Sequence, residues 1–512
     1  MAKKLMKYGK LIIHAIMLPI ALLMVTGAYV FAGALTPDMP LVPNGALETI
    51  EVKVGAQASA YGNFLDLSQG LVYKKREAAR ASDKIHLMYA YGKNSKANLF
   101  FIGSNAIQKY ARSVQELVNQ WNNRQEGQII NIGKDPIAFE ALSSAQEIAQ
   151  LFHERRNRLF LDASYNMATQ GPADALSQLS AGDVLLIHAF NSQTYMAVQI
   201  LNLQAGAEGD MTLSIKGSDA VVESAEPMVQ AAGGQWNVGQ TYADSLYWSE
   251  YTVGDMPLVI SVPHGGNMNP VEIPDRNCRN SVRGTDRYTV ELARAIQKVF
   301  YEKYQMRPHI IVSNLSRRKI DHNRNVDPAT CGNPKMQGAW QLYHNYIDTA
   351  IHIAGEAGNQ VFFVDLHAHG HAIQRLELGY LIPSAGLKEV YDGENVLTHA
   401  DKASVVNLLP ESPKHRAAAF RDLFFGEQAF GTLMENAGIR AIPSKQDPYP
   451  INAAPYLSRG YNTQKFTSKD YPNVYGLQME CNLKGVRDVE SRPGFASKFA
   501  EIALLYMELH KE

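Results

Sequence analysis

Between residues 258 and 482 the sequence repeats one construction: a short apolar run that stops at a residue able to hold a metal or move a proton. Leu258-Val259-Ile260-Ser261-Val262 runs into Pro263-His264-Gly265-Gly266, and Val361-Phe362-Phe363-Val364 into Asp365-Leu366-His367. Leu477-Gln478-Met479 ends at Glu480. Short apolar runs bounded by turn residues read as buried strands, and the paired glycines permit a tight turn after the first. In an open α/β sheet the strand ends gather along one edge, where ligands bind. The chain is thereby held to folds that carry two imidazoles and a carboxylate to a common edge. One histidine at a strand tip is more often a structural residue; the convergence of His264, Asp286, His367 and Glu480 is what points to a metal.

The surrounding pattern alternates. Helical spacing of Val290, Leu292, Ala293, Ile296, Val299 and Phe300 predicts a helix over 289–304, followed by a strand at 309–312 and a helix over 336–354. After the strand at 361–366 come a strand at 378–382, a helix over 420–437, the strand at 477–480 and a closing helix over 494–509. This alternation predicts, over residues 250–512, an α/β domain whose mixed sheet is covered by helices on both faces. A chain of 512 residues exceeds one ordinary core. Residues 51–249 read as a preceding, smaller β-rich or α+β domain of no evident chemistry. It has β-type runs at 85–91, 98–102, 183–188, 195–200 and 211–215, with hairpins around 191–193 and 206–210 and helical spacing at 106–124 and 145–156. His86, His153 and His188 stand alone there and read as structural. Residues 224–250, with Gly233-Gly234-Gln235-Trp236 and Trp248, look like the junction.

Lys3, Lys4, Lys7 and Lys10 precede an apolar run over 11–34, the pattern of an export signal, and Ala32-Gly33-Ala34 suits cleavage. The run is also long enough to be an uncleaved anchor with the lysines inside. Residues 1–34 are therefore expected to be a signal peptide or membrane anchor, and the body periplasmic or extracellular. Residues 35–50, with Pro37, Pro40, Pro43 and Asn44-Gly45, read as a linker. A formal net charge of −1 leaves no electrostatic footprint for nucleic acid. Of three cysteines, Cys278 and Cys331 lie in loop-like stretches and are a candidate disulfide in an oxidising compartment, and Cys481 reads as a small buried hydrophobe.

A hydrolytic zinc site needs three protein ligands, a position for water, and a carboxylate outside the ligand set to carry the proton. His264, Asp286 and His367 supply the ligands and Glu480 the base, while Asp365 is placed to orient an imidazole from behind. His369 and His371 compete as ligands, since His367-Ala368-His369-Gly370-His371 offers three imidazoles in one loop. These residues carry a resemblance. Val262-Pro263-His264-Gly265-Gly266, Gly284-Thr285-Asp286, Ser316-Arg317-Arg318 through Asp321-His322-Asn323-Arg324, Asp365-Leu366-His367 and Gln478-Met479-Glu480 resemble the N-formylglutamate amidohydrolase family. That family is similar in turn to zinc carboxypeptidases and aspartoacylase-type deacylases.

The resemblance covers about 255–505 and implies one Zn²⁺ on His264, Asp286 and His367, with Glu480 as catalytic carboxylate. It implies Asn323 and Arg324 as the grip on a substrate carboxylate, which a guanidinium can fork bidentately. Arg318 is expected to stabilise the oxyanion. Arg459 and Tyr461, in a glycine-containing loop, are expected over the substrate; Arg375, Glu377, Lys484 and Arg487 are nearby candidates. Asn267 stands where carboxypeptidases carry a ligand glutamate, and His322 where a small apolar residue is usual. The expected activity is hydrolysis of an amide bond in a small N-acyl amino acid or acidic peptide. Rival readings are an amidase or peptidase acting on cell-wall peptides and a catalytically silent carboxylate-binding protein.

Overall fold

The computed structural model describes residues 47, 49–109, 112–159, 165–217 and 236–511. The expected leader at 1–34, almost all of the linker at 35–50, and Gly233-Gly234-Gln235 of the junction lie outside the described residues. Among the described residues no helix is long and apolar enough to cross a membrane.

The first region contributes ten strands: β1 (Thr49–Gly55), β2 (Phe64–Asp66), β3 (Leu71–Tyr73), β4 (Leu87–Gly92), β5 (Lys96–Phe101), β6 (Gly127–Asn131), β7 (Ala175–Leu179), β8 (Val184–Ala189), β9 (Thr194–Leu203) and β10 (Asp210–Gly217). They form two five-stranded sheets, in the orders β1-β10-β9-β8-β6 and β3-β2-β4-β5-β7. All pairings in both are antiparallel. Both expected hairpins form, β8 to β9 through a left-handed Gln193 (φ 53°) and β9 to β10 past Gly206.

The second region is built on an eight-stranded mixed sheet, β11 (Thr241–Ala243), β12 (Ser249–Thr252), β13 (Leu258–Val262), β14 (His309–Ser313), β15 (Val361–Ala368), β16 (Leu376–Gly379), β17 (Ala441–Ile442) and β18 (Val474–Cys481). Its order is β11-β12-β14-β13-β15-β18-β16-β17. The centre is parallel: β14, β13, β15 and β18 run together, and β12 and β16 flank them antiparallel. Successive residues of a strand face opposite sides, and the sequence splits accordingly. Leu258, Ile260 and Val262 pack with the helices Thr289–Tyr304 and Arg492–Leu509, while Val259 and Phe363 pack with Tyr343, Ile347 and Ala350 of the helix Pro334–Ala354. Burial on both sides explains why these strands read as unbroken apolar runs. The protein is thus α/β, with a helix-covered mixed sheet alongside antiparallel ones.

Three elements differ from the sequence reading. The helical stretch expected over 106–124 is a 3-10 turn, Asn105–Lys109, and a short helix, Arg112–Val118. The helix expected over 420–437 is two helices, Pro413–Phe425 and Phe430–Asn436, broken after Gly426 caps the first. The strand expected at 378–382 ends at Gly379, and Leu381 turns the chain at φ +67°. The two regions meet through buried charge: Arg156 of the helix Ala145–Leu159 pairs with Glu250 of β12 at 2.6 Å, and Arg294 reaches the same carboxylate at 3.3 Å.

Candidate metal centre

On the sheet face covered by the helix Pro334–Ala354, the apolar character of β13, β15 and β18 fails toward the strand ends. Val259 and Phe363 give way to Ser261, Asp365 and His367, and in β18 Val474 and Gly476 give way to Gln478 and Glu480. Parallel register sets Asp365 beside Gln478 and His367 beside Glu480, and antiparallel register sets Glu377 on the other side of Glu480. Residues paired across neighbouring strands share a face. One row of the sheet therefore reads His367, Glu480, Glu377. His264 arrives from the turn after β13, and Asp286 from the loop before the helix Thr289–Tyr304, where its backbone N–H donates to His264 O at 3.1 Å.

Three electron-rich atoms converge there. His367 Nδ1 lies 3.0 Å from Asp286 Oδ2 and 3.2 Å from His264 Nδ1, and the third side of the triangle, His264 Nδ1 to Asp286 Oδ2, is 3.5 Å. Ligands held tetrahedrally at about 2.1 Å from a zinc ion stand ~3.4 Å from one another, so the triangle has the size of one face of that tetrahedron. The far nitrogens are committed. His264 Nε2 donates to Asp321 Oδ1 at 2.6 Å, and His367 Nε2 to Asp365 Oδ2 at 2.9 Å, with Asn323 Nδ2 at 3.0 Å. In the Nε2–H tautomer that pairing with Asp321 and Asp365 selects, both Nδ1 lone pairs turn inward. Two lone pairs and a carboxylate oxygen at this spacing repel one another unless a cation or proton lies among them. Without a metal the proton goes to His367: burial opposes its charge, but Asp365, Asp286 and Glu480 outweigh burial and hold its pKa well above the imidazole range. Burial would likewise raise Asp286, yet the neighbouring imidazoles of His264 and His367 keep it well below the carboxylate range. The donor set fits a zinc ion.

Asp321 holds the site together from below. It is fully buried. Its second oxygen meets Arg317 Nε and Arg324 Nε, each at 3.2 Å, and Arg276 Nη2 at 3.6 Å. Against the cost of burial, His264, Arg317 and Arg276 keep its pKa well below normal. His322, the unusual neighbour in this run, is buried with its ring stacked on Tyr343 at 4.2 Å, and burial pushes it well below the imidazole range.

Glu480 is buried beside the triangle. Oε1 accepts from Gln478 Nε2 at 2.9 Å, and Oε2 is buried with no hydrogen-bond partner. Burial raises its pKa to about 7, with His367 pulling down and Asp286 and Glu377 pushing up. A carboxyl poised there, with one oxygen unspent, can take up and return a proton near neutrality. His369, His371 and Glu377 form a second candidate set. His369 is already spent, Nε2 donating to Arg375 O at 2.8 Å and Nδ1 accepting from His371 N at 3.2 Å. Only the first set keeps free lone pairs pointed at one another.

The remaining sequence candidates are placed as follows. Arg324 spends Nε on Asp321 and is partly exposed, leaving its terminal nitrogens for a ligand. Arg318 turns away and pairs with Asp275 through Nε at 2.9 Å and through Nη2, while Arg317, one residue earlier, lies 3.8 Å from Asp286. Asn323 accepts from Asn462 N at 2.9 Å as it contacts His367. Tyr461 packs toward Trp340 and His344, and it is the adjacent Asn462 that enters the network, donating to Asp365 Oδ1 at 3.2 Å. Arg459 is exposed. Arg375 pairs with Asp447 at 2.9 Å, and Arg487 donates to the carbonyls of Cys481 and His369 at 3.0 and 3.2 Å. Asp321, Arg317, Gln478 and Asn462 are the participants to which the sequence reading gave no role. The Asp321-to-Arg324 motif was the one signal for Asp321. Cys278 and Cys331 form a disulfide, and Cys481 is free and buried.

No protein-family model and no curated protein matches the sequence. Among solved structures, the chain is similar to an N-formylglutamate amidohydrolase from Ralstonia eutropha, at 14% identity over 51% of this chain and 96% of that one, with a TM-score of 0.30. It is similar also to a gene product of Agrobacterium tumefaciens, at 11% identity over 50% and 91% of the two chains, with a TM-score of 0.31. Scores this low carry no functional weight, and the reading of the site rests on its own geometry.

Proposed function

We propose that the protein is a zinc-dependent hydrolase that cleaves an amide bond of an N-acyl amino acid or acidic peptide. The observation that carries this is the triangle of His264 Nδ1, His367 Nδ1 and Asp286 Oδ2 beside a buried carboxyl with an unspent oxygen. Both ligand imidazoles are oriented from behind, by Asp321 and Asp365. A zinc ion held there would polarise the scissile carbonyl and acidify a bound water. Glu480 takes the proton from the attacking water and returns it to the departing nitrogen; one C–O bond forms, the C–N bond breaks and one water is consumed. Arg317, 3.8 Å from Asp286, takes the role of oxyanion stabiliser in place of Arg318, which is paired with Asp275. Arg324 grips the substrate carboxylate with its terminal nitrogens.

We propose further that the body is exported, on the strength of the basic-then-apolar run at 1–34 and of the Cys278–Cys331 bridge, which suits an oxidising compartment. Glu480→Gln tests the central claim. It should retain one zinc per chain by mass spectrometry and lose about 10²–10⁴-fold in turnover of N-acyl glutamate, the contribution of a general base. Undiminished turnover would dismiss Glu480 as that base.

A further inference from the structure

Between β17 and the helix Tyr461–Phe466 the chain returns to the metal centre at Gly460. The backbone there is extended (φ −143°, ψ 160°), a conformation open to any residue, so the glycine is not needed for its freedom. Space is the reason. A Cβ on Gly460 would overlap Gln478 Oε1 and lie 2.5 Å from Asn323 Nδ2 and 2.9 Å from Asn323 Oδ1. These nearest atoms are all tips of side chains. The missing methyl leaves room for two amides, and those amides lead to Glu480.

The direction of their hydrogen bonds follows from one fixed donor. The main-chain N–H of Asn462 can only donate, and it meets Asn323 Oδ1 at 2.9 Å. That turns Asn323 Nδ2 toward Gln478 Oε1 at 3.3 Å, where it also lies 3.0 Å from His367 Nε2. Gln478 must then present its other end to the base, and Nε2 donates to Glu480 Oε1 at 2.9 Å. One backbone N–H thereby sets the sense of every bond in the run and delivers a donor to one chosen oxygen of Glu480. Oε2 is the oxygen left over, buried and unpartnered. The run is anchored at its start: Asn462 is fully buried, donates through Nδ2 to Asp365 Oδ1 at 3.2 Å and places Oδ1 3.1 Å from His344 Nε2. Asn323 is held by its own main chain as well, N donating to Asp321 Oδ1 at 3.2 Å.

We propose that Gly460, Asn462, Asn323 and Gln478 are positioning residues for Glu480, a run of amides that fixes which carboxyl oxygen is bound and which stays free for the proton. Asn323 then serves the base instead of gripping a substrate carboxylate, the part the family resemblance implied for it. The inference rests on the hydrolase reading for the role of Glu480, but its test does not depend on the substrate. The probe is acetohydroxamate, titrated calorimetrically into zinc-loaded protein; it chelates zinc through two oxygens while its hydroxyl proton passes to a neighbouring carboxylate. Gly460→Ala, whose methyl displaces both amides, and Gln478→Leu, which removes the donor, should each weaken hydroxamate binding about tenfold or more, the worth of one hydrogen bond to a charged group, with zinc still at one per chain. Gly338→Ala, in the helix Pro334–Ala354 where the same carbon meets nothing within 4 Å, should change it less than twofold. Added to Glu480→Gln, Gly460→Ala should cost nothing more, since a residue that acts through the carboxylate has nothing left to act on. On N-acyl glutamate both variants should lose kcat and keep KM within twofold. Hydroxamate affinity within twofold of wild type in both variants, or a Gly460→Ala loss that persists in the Glu480→Gln background, would overturn the proposal. If the wild type cleaves no N-acyl glutamate but both variants lose hydroxamate binding, the substrate reading falls and the positioning run stands.

Discussion

Replacing Asp321 with asparagine keeps the shape of a fully buried side chain and removes its charge. The carboxylate has two duties. Oδ1 fixes the Nε2–H tautomer of His264 at 2.6 Å, and Oδ2 answers three guanidiniums at 3.2, 3.2 and 3.6 Å. The first duty is weakened, because an amide oxygen accepts the same proton less strongly than a carboxylate and lowers the donor strength of the imidazole, a change that typically costs 10–100-fold in metal affinity, or about 1.4–2.7 kcal/mol. Loss of the second leaves Arg276, itself buried, without its charge partner; breaking a buried pair from one side costs about 3–5 kcal/mol. Two readouts separate these duties. Competitive chelation of zinc should show the 10–100-fold weakening, and urea denaturation of the metal-free protein should show the larger loss of stability. Asp365→Asn, which backs His367 but touches none of these arginines, should reproduce the first effect without the full second one. Zinc affinity within twofold of wild type in Asp321→Asn would mean that His264 is not a ligand, and the triangle would lose a corner.

Acid sensitivity follows from buried neutral histidines outside the triangle. Burial lowers His309 and His344 to about 4 and His188 to about 3. Each folded-state pKa lies below the unfolded value near 6.5, so the unfolded chain binds more protons and stability falls as pH drops from about 6.5 toward 4. Each group adds at most about 1.4 kcal/mol per pH unit to that slope. His309→Asn should be less stable at pH 7, since Nδ1 accepts from Gly254 N at 3.2 Å and faces Tyr251 OH at 2.8 Å, yet its stability should fall less steeply between pH 6 and 5; an unchanged slope in urea titrations would refute the assignment. Arg156→Met should lose several kcal/mol by strength of its buried pair with Glu250 and its place over the Tyr247 ring at 4.1 Å. Adding Glu250→Met to it should cost less than the two singles summed, and strict additivity would show the charges are not coupled.

What the sequence made legible, and what it hid, divide along the range of the interaction. The donors were readable because each sits where a local signal ends: His264 after an apolar run and before two glycines, His367 and Glu480 at the tips of runs whose period and composition mark buried strands. The row His367, Glu480, Glu377 was not, because register between β15, β18 and β16 is set by packing of both sheet faces and not by any one strand. Asp321 lies 57 residues from the imidazole it orients, so no spacing rule could single it out from other acids of the motif. The arginines show the limit most sharply. Arg317 and Arg318 are chemically equal and adjacent, and a turn sends them in different directions, one to Asp286 and Asp321 and the other out to Asp275. Which of two neighbours faces a site is a property of the backbone path through that turn. Here that path is held by distant contacts: Arg276 N donating to Arg318 O at 2.7 Å, and Lys319 Nζ donating to Ile273 O at 2.6 Å. The loop 273–276 therefore decides which guanidinium serves the centre. If Lys319→Met lets the turn relax, the activity should become sensitive to Arg318→Ala, a substitution that costs the parent chain less than twofold; continued indifference to Arg318 in the Lys319→Met background would show that the turn holds its course without the loop.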